Sequence, residues 1–150
     1  MAELRVKYSP DDEWTGELEG VVASNGFSGR GSAWFDRTHL RTAIIPAFRA
    51  FPLSDSEPPT IEGGFWSKER QGELEQCHLR ITVKQHNARG GLLVRVDVAS
   101  QVWKTPDADM QQTVTARFLT DYEALRQFAE DLERVLDGAL EEAVLRNTTM

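Results

Sequence analysis

Apolar and polar residues alternate with a period of two along three stretches in the second half of the chain. This alternation is typical of strands in an antiparallel sheet that has one buried face and one face in solvent. The three predicted strands lie within residues 73–86, 91–103 and 111–120. In the first of them, the alternation directs Cys77, Leu79, Ile81 and Val83 toward the core and His78, Arg80, Thr82 and Lys84 toward solvent.

The first half of the chain predicts four more strands and a helix. The strands lie at residues 4–9, 14–24, 32–36 and 60–66. Apolar residues recur at three- and four-residue spacing over residues 37–51, which predicts a helix. Pro46 interrupts this helix because proline has no amide proton to donate, so we expect it to kink the helix or to mark a late start.

The last amphipathic pattern, over residues 120–145, predicts a long helix with one apolar stripe. Thr120 followed by Glu123 is the pattern of a capping box at the start of this helix. Gly138 weakens the helix by about 1 kcal/mol relative to alanine. A break at Gly138 is therefore compatible with the pattern.

The predicted order of elements is β-β-β-α-β-β-β-β-α. Two amphipathic helices and a half-buried antiparallel meander predict an α+β fold, a two-layer sandwich with both helices on one face of the sheet. We expect a single domain over residues 1–150, because the chain shows no linker or repeat and has an ordinary domain length. Two small sheets, or a strongly curved sheet wrapped around the last helix, are the alternatives.

Three glycines, Gly26, Gly29 and Gly31, surround Arg30 in the segment SNGFSGRGSAWF. Their spacing is the reverse of the dinucleotide-binding pattern, and the residues after Gly31 alternate like a strand instead of opening a helix. Asn25-Gly26 is a strong signal for a two-residue hairpin turn. The segment therefore predicts a hairpin, with contact between Arg30 and an anion or a partner as the alternative.

The composition argues against several classes of partner. The chain has 24 acidic and 17 basic residues and a net charge of −7, so it repels nucleic acid at long range and attracts a basic protein. Its apolar runs are far shorter than the roughly 20 residues of a membrane span, and its N-terminus lacks the apolar core of a signal peptide. With a single cysteine, these features predict a cytoplasmic protein without a membrane partner.

The residues that could support catalysis are poorly placed for it. Cys77 and His78 are neighbours, and neighbours in a strand point to opposite faces. His78 and His86 would lie about 26 Å apart along one strand, too far to share a metal ion. We therefore expect no catalytic residue, no metal site and no cofactor, and we predict that the protein is not an enzyme.

Charge is segregated between the predicted layers. The solvent face of the sheet carries Arg80, Lys84, Arg95 and Arg117 against Asp97. The acidic candidates for binding a partner on the last helix are Glu130, Glu133 and Asp137. This layout is expected for two binding surfaces of opposite charge. It is equally expected for ordinary ion pairing on the surface of a soluble protein.

The aromatic residues add further candidates. Strand alternation directs Trp103 toward solvent, and one of the neighbours Trp34 and Phe35 must point outward. Because exposed aromatic residues are enriched in interfaces, Trp34 and Trp103 join Arg30 and the charged candidates. The alternative is that they cover sheet edges or pack under the proline-rich loop at residues 52–60.

The segments GRGSAWFDRTHL, GGLLVRVDVASQVW and LTDYEALRQFAEDLERVLDG resemble a broad group of small bacterial α+β proteins. Several proteins of this group are immunity proteins of polymorphic toxin systems, the WapI type among them. The resemblance implies a stoichiometric inhibitor of a cognate toxin, and an acidic inhibitor suits a basic toxin domain. We predict a non-enzymatic module that binds a protein partner. The alternative is a small-ligand-binding domain with a pocket between the sheet and the first helix.

Overall fold

The computed structural model describes residues 1–103 and 108–148, and within these residues eight strands form two antiparallel sheets of four. The first sheet has the order β3-β2-β1-β8, with bounds Ala2–Pro10 (β1), Thr15–Ser24 (β2), Phe27–Asp36 (β3) and Ala143–Arg146 (β8). The second has the order β4-β5-β6-β7, with bounds Thr60–Trp66 (β4), Leu74–Gln85 (β5), Gly91–Ala99 (β6) and Thr113–Asp121 (β7). The α+β class is confirmed, and so is the predicted order of strands and helices up to the last predicted helix. The strands divide into two sheets, an alternative that the sequence left open.

The helical residues lie in two main segments and one 3₁₀ turn (Ala108–Met110). The first segment joins α1 (Arg37–His39), a π-helical turn (Leu40–Ile44) and α2 (Ile45–Phe48); the second is α3 (Tyr122–Leu136). At the end of the π turn the amide of Ile45 donates to the carbonyl of Leu40, and Pro46 follows in the first turn of α2. The wider turn thus places Pro46 at the start of a new helical segment. At this position the missing amide proton of proline costs the helix little stability, because the first amides of a helix have no carbonyl partner within it. None of the helices in the described residues is long and apolar enough to span a membrane.

The start of α3 differs from the predicted capping box. Asp121 is the N-cap, and its carboxylate accepts a hydrogen bond of 2.8 Å from the amide of Ala124. Thr120 is buried as part of β7, and its hydroxyl donates to the carbonyl of Arg146 at 3.0 Å. The prediction of Thr120 as N-cap is therefore wrong, because β7 continues through Thr120 and turns its side chain inward.

The end of α3 leads into a strand that the sequence did not predict. The helix ends at Leu136, and Gly138 follows with a φ of +78°, the left-handed conformation common just after a helix. The chain then pairs β8 with β1 in antiparallel register. The expected helical pattern up to residue 145 is wrong beyond Gly138, because the backbone there hydrogen-bonds to the edge of β1.

The two sheets pack against each other around a shared cluster of buried residues, to which α3 contributes its apolar stripe. Strand β3 contacts all four strands of the second sheet. Gly29 and Gly31 lie where β3 meets that sheet, and a methyl group on Gly31 would come within 2.0 Å of the carbonyl oxygen of His78. The predicted hairpin is confirmed by the positive φ angles of Asn25 (49°) and Gly26 (91°). The glycines of this segment therefore serve a turn and a close approach between sheets.

A β-bulge in β5 exchanges the predicted faces of Cys77 and His78. Gly63 pairs with Leu79 and Gly64 pairs with Cys77, which leaves His78 as the extra residue of β5. His78 is 1% exposed, whereas Cys77 is only half-buried. The predicted positions, Cys77 in the core and His78 on the solvent face, are wrong because a slip of one residue exchanges the two sides of a strand.

Candidate functional site

The outer side of the second sheet, called here the basic face, carries a shallow pocket of about 300 Å³. The residues lining it come from β5, β6 and β7: Arg80, Thr82, Lys84, Leu93, Arg95 and Arg117. They meet because alternate residues of each strand project from the same side of a sheet. The structure thus brings together Arg80, Arg95 and Arg117, three of the residues predicted as binding candidates.

Two acidic residues neutralise part of this basic face. Arg80 Nε lies 2.9 Å from Glu62 Oε2, and Arg95 Nε lies 3.2 Å from Asp97 Oδ2. The Asp97 carboxylate also accepts a hydrogen bond of 2.6 Å from the hydroxyl of Thr115. Both acids therefore border the pocket on the side of Arg80 and leave its other side positive.

The positive side of the pocket is formed by Lys84, Arg95 and Arg117. Among the described residues, neither Lys84 nor Arg117 takes part in an ion pair. Arg117 lies directly opposite Arg95 in the register of β6 and β7, and like charges at facing positions destabilise a sheet. The next outward-facing pair along these strands is Leu93 with Leu119, so an apolar pair adjoins the unbalanced charges.

The acidic candidates on α3 are paired within the molecule. The pairs are Glu130 with Arg126, Glu133 with Arg49, and Asp137 with Arg41. Two of these arginines come from the first helical segment and its C-cap. Each such exposed pair contributes only about 0–1 kcal/mol to stability, but together they offset much of the negative charge of the helix. The helix therefore attracts a basic partner less than its sequence indicates.

All four tryptophans are exposed: Trp14 by 65%, Trp34 by 46%, Trp66 by 47% and Trp103 by 68%. In the Trp34–Phe35 pair Phe35 is the buried member, so Trp34 is the one that points outward. Trp103 lies beyond the end of β6, outside the strand in which the sequence placed it. Its predicted exposure is nevertheless confirmed.

Three of the tryptophans lie in segments that adjoin where the two sheets meet, with Trp34 in β3, Trp66 in β4 and Trp103 after β6. We call the following group the aromatic end: Trp34, Phe65, Trp66 and Trp103. The Trp103 ring packs on Phe65 with ring centroids 4.7 Å apart, and Trp66 follows Phe65 in β4. Gln101 Nε2 donates to the carbonyl oxygen of Ser32 at 3.3 Å. This bond joins the segment that carries Trp103 to the strand that carries Trp34.

A buried polar network supports the aromatic end from inside. His78 meets the Phe65 ring edge-on at 4.5 Å, and its Nε2 lies 2.9 Å from Gln76 Oε1. Gln76 Nε2 donates to the carbonyl of Val102 at 3.0 Å, and the Val102 amide donates to Gln76 Oε1 at 3.2 Å. Burial lowers the pKa of the His78 imidazole, so His78 is neutral at neutral pH. The bulge that turned His78 inward thus helps to hold the segment just before Trp103.

Acidic residues of the β1–β2 turn lie beside Trp34. The indole Nε1 of Trp34 donates to Asp11 Oδ2 at 2.7 Å. The Asp12 carboxylate accepts hydrogen bonds from the amides of Thr15 and Trp14, and these bonds lower its pKa. Negative charge at neutral pH therefore borders the aromatic end.

Arg30, the remaining candidate, lines neither the basic face nor the aromatic end. It lies on β3 opposite Val21, with its side chain 72% exposed and its Nε 3.9 Å from Glu19 Oε2. This ion pair is long and exposed, so it holds Arg30 weakly. The structure gives Arg30 no neighbour that would form a site with it among the residues described.

Cys77 lacks the surroundings of an activated nucleophile. Burial raises the pKa of its thiol, whereas a reactive cysteine needs a lowered pKa. Within residues 1–103 and 108–148, no three His, Cys, Asp or Glu side chains are grouped so that they could hold a metal ion.

The binding candidates predicted from the sequence do not include Leu93, Trp66 or the acidic turn at residues 11–13, although strand alternation directs one of the neighbours Phe65 and Trp66 outward. The alternation in β6 already directed Leu93 outward, so its position on the basic face could be predicted from the sequence. The turn gave no comparable signal, because the contact of Asp11 with Trp34 depends on how β1 and β3 pair with β2.

No known protein family, curated protein or solved structure matches this chain.

Proposed function

We propose that the protein is a non-enzymatic binding module that forms a one-to-one complex with a basic protein through its aromatic end. The observation that supports this most is the exposure of Trp34, Trp66 and Trp103, with Trp34 hydrogen-bonded to Asp11 of the acidic β1–β2 turn. A monomeric protein rarely leaves large aromatic side chains grouped in water without a function for them. Acidic residues around an apolar centre favour a basic partner and exclude an acidic one.

The way these rings are held also suits an interface. Trp103 is braced by Phe65 and Trp34 by its bond to Asp11, so both rings would lose little freedom on binding. Tryptophan is among the residues most enriched in binding hot spots, where truncation to alanine costs about 2 kcal/mol or more. Two such residues would contribute a large share of the affinity of a tight complex.

The other candidate surfaces support this function less well. Glu130, Glu133 and Asp137 on α3 are already paired with arginines. The pocket lined by the first helical segment, at Arg37, Thr38 and Arg41 together with Glu13 and Trp14, has a volume of about 310 Å³. Pockets for small ligands are lined mainly by hydrophobic and aromatic side chains, and among these five residues only Trp14 is of that kind, so the small-ligand alternative is disfavoured there.

The partner that we propose is a toxin domain, which the protein would inhibit by occupying it stoichiometrically. The resemblance to immunity proteins of the WapI type and the net charge of −7 support this choice. Long-range attraction between an acidic inhibitor and a basic target would speed their association, and added salt would slow it.

The test is purification of the tagged chain from its source organism, followed by calorimetry with the protein that it retains. The wild type should retain a basic protein at a ratio of one to one and bind it with a Kd on the order of 1 nM, as tight inhibitor complexes do. Trp34→Ala combined with Trp103→Ala should weaken binding at least about 100-fold. Far-UV circular dichroism would check that this variant is folded.

A matched control is Phe27→Ala, since Phe27 is 67% exposed but lies at the β2–β3 turn, away from the aromatic end. It should bind like the wild type. If the tryptophan variant also binds like the wild type, the aromatic end is not the interface, and a wild type without a stoichiometric partner contradicts the binding function. The toxin hypothesis predicts that the partner arrests growth when expressed alone and that co-expression of this chain restores growth.

A further inference from the structure

We propose that the basic face is a binding site for a small ligand that carries at least two oxyanion groups, such as phosphates or carboxylates. This site is distinct from the aromatic end and independent of the protein partner. It is formed by Lys84, Arg95 and Arg117 around the pocket of about 300 Å³.

An oxyanion in this pocket would supply what the described residues lack. Lys84 and Arg117 have no acidic partner there, and Arg95 has one, Asp97 at 3.2 Å. Arginine and lysine side chains that converge on one pocket bind oxyanions through charge-assisted hydrogen bonds, which are about twice as strong as neutral ones. Two anionic groups are needed to balance three cations of which one is partly neutralised.

The arrangement is also costly for the free protein. Arg95 and Arg117 face each other across β6 and β7, where like charges destabilise the sheet. The chain is acidic overall, with 24 acidic residues against 17 basic ones, so a shortage of acids does not explain why Arg117 has none beside it. Residues whose placement destabilises the fold locally, without a compensating contact, are expected at functional sites.

The shape of the site favours a small ligand over a polyanion. Its volume of about 300 Å³ is at the lower end of the range of ligand pockets. Glu62 and Asp97 flank the pocket beside Arg80 and Arg95, so a nucleic-acid backbone extended along the sheet would meet negative charge. Leu93 and Leu119, which face each other on this side, offer apolar contact to the carbon skeleton of a small ligand.

The experiment is isothermal titration calorimetry of the full chain with two probes, inorganic pyrophosphate and citrate, at an ionic strength near 0.05 M, where screening is weak. The wild type should bind one equivalent of at least one probe. If pyrophosphate alone binds, the ligand carries phosphate groups. If citrate alone binds, the ligand carries carboxylates. If both probes bind, the site accepts oxyanions in general. Arg95→Gln with Arg117→Gln should weaken binding at least about 30-fold, because two charge-assisted hydrogen-bonding groups are removed.

The control removes the same charge elsewhere, with Arg30→Gln and Arg70→Gln, whose side chains are 72% and 67% exposed. It should bind the probe within about twofold of the wild type, as surface charges away from a site are largely screened. Equal losses in both double variants, or a wild type that binds neither probe, would overturn the proposal. As a second measurement, the bound probe should raise the melting temperature of the wild type and of the control but not of the Arg95/Arg117 variant.

Discussion

Replacing Gly31 by alanine tests how β3 packs on the second sheet. The new methyl carbon would lie 2.0 Å from the carbonyl oxygen of His78 and 3.1 Å from the amide nitrogen of Ala99. The closer of these atoms belongs to the backbone of β5, so no side chain can rotate to make room. The two sheets would have to move apart locally by about 1 Å to reach ordinary contact distances.

The cost of this movement can be bounded. A gap of 0.5–1 Å between packed surfaces loses roughly a quarter to a half of the dispersion energy of each contact across it. Overpacking in cores costs about 1–3 kcal/mol and occasionally more, and the immobility of the backbone places Gly31→Ala at or above about 3 kcal/mol. Typical domains have a total stability of about 5–15 kcal/mol, so this loss is readily measured.

Two neighbouring glycines provide graded controls. A methyl group on Gly29 would lie 2.8 Å from a methyl group of Val98 and 3.0 Å from Val114. These side chains can repack, so we expect a loss of about 1–2 kcal/mol. Gly26 has no neighbour within 4 Å but a φ of +91°, which costs an alanine about 1–2 kcal/mol.

The assay is urea unfolding followed by tryptophan fluorescence and far-UV circular dichroism. Gly31→Ala should show the largest fall in the midpoint, with an unchanged denaturant slope if both end states keep their compactness. A Gly31→Ala variant within about 0.5 kcal/mol of the wild type, the range of ordinary surface substitutions, would contradict the close packing of β3 on the backbone of β5. A larger loss of stability in Gly29→Ala or Gly26→Ala would contradict it as well.

Two further predictions concern buried and capping groups. Burial lowers the pKa of His78 in the folded protein, so as the pH falls below about 6.5 this imidazole is protonated first in the unfolded chain. The free energy of unfolding should therefore decrease as the pH falls from about 6.5 toward the lower pKa of the folded state. In urea unfolding between about pH 7.5 and 5.5, His78→Gln should flatten this decrease. Equal slopes in the wild type and this variant would contradict the assignment. Asp121→Ala should lose the 2.8 Å hydrogen bond to the Ala124 amide, and thermal unfolding should show a loss of about 1 kcal/mol in stability. Asp121→Asn should retain most of that stability, since asparagine caps a helix equally well. An asparagine variant as unstable as the alanine variant would exclude capping as the cause.

The features that the sequence determined are those that depend on local chain geometry. The alternation over Leu79, Ile81 and Val83 predicted a strand with one buried face, and all three are buried. Asn25-Gly26 predicted the hairpin that their positive φ angles confirm. Spacing within one strand, helix or turn follows from its own backbone dihedral angles, so neither prediction required knowledge of a distant partner.

The features that only the tertiary structure decided depend on which segments meet. His78 became the extra residue of β5 because of its register with Gly63 and Gly64, and this register exchanged the faces of Cys77 and His78. Likewise, Asp137, the C-cap of α3, gained Arg41 as its partner, a residue far away in the sequence. A strand keeps its own alternation whatever lies beside it, but its register, and the neighbour of each charge, are set by how both sheets and α3 fill one common core.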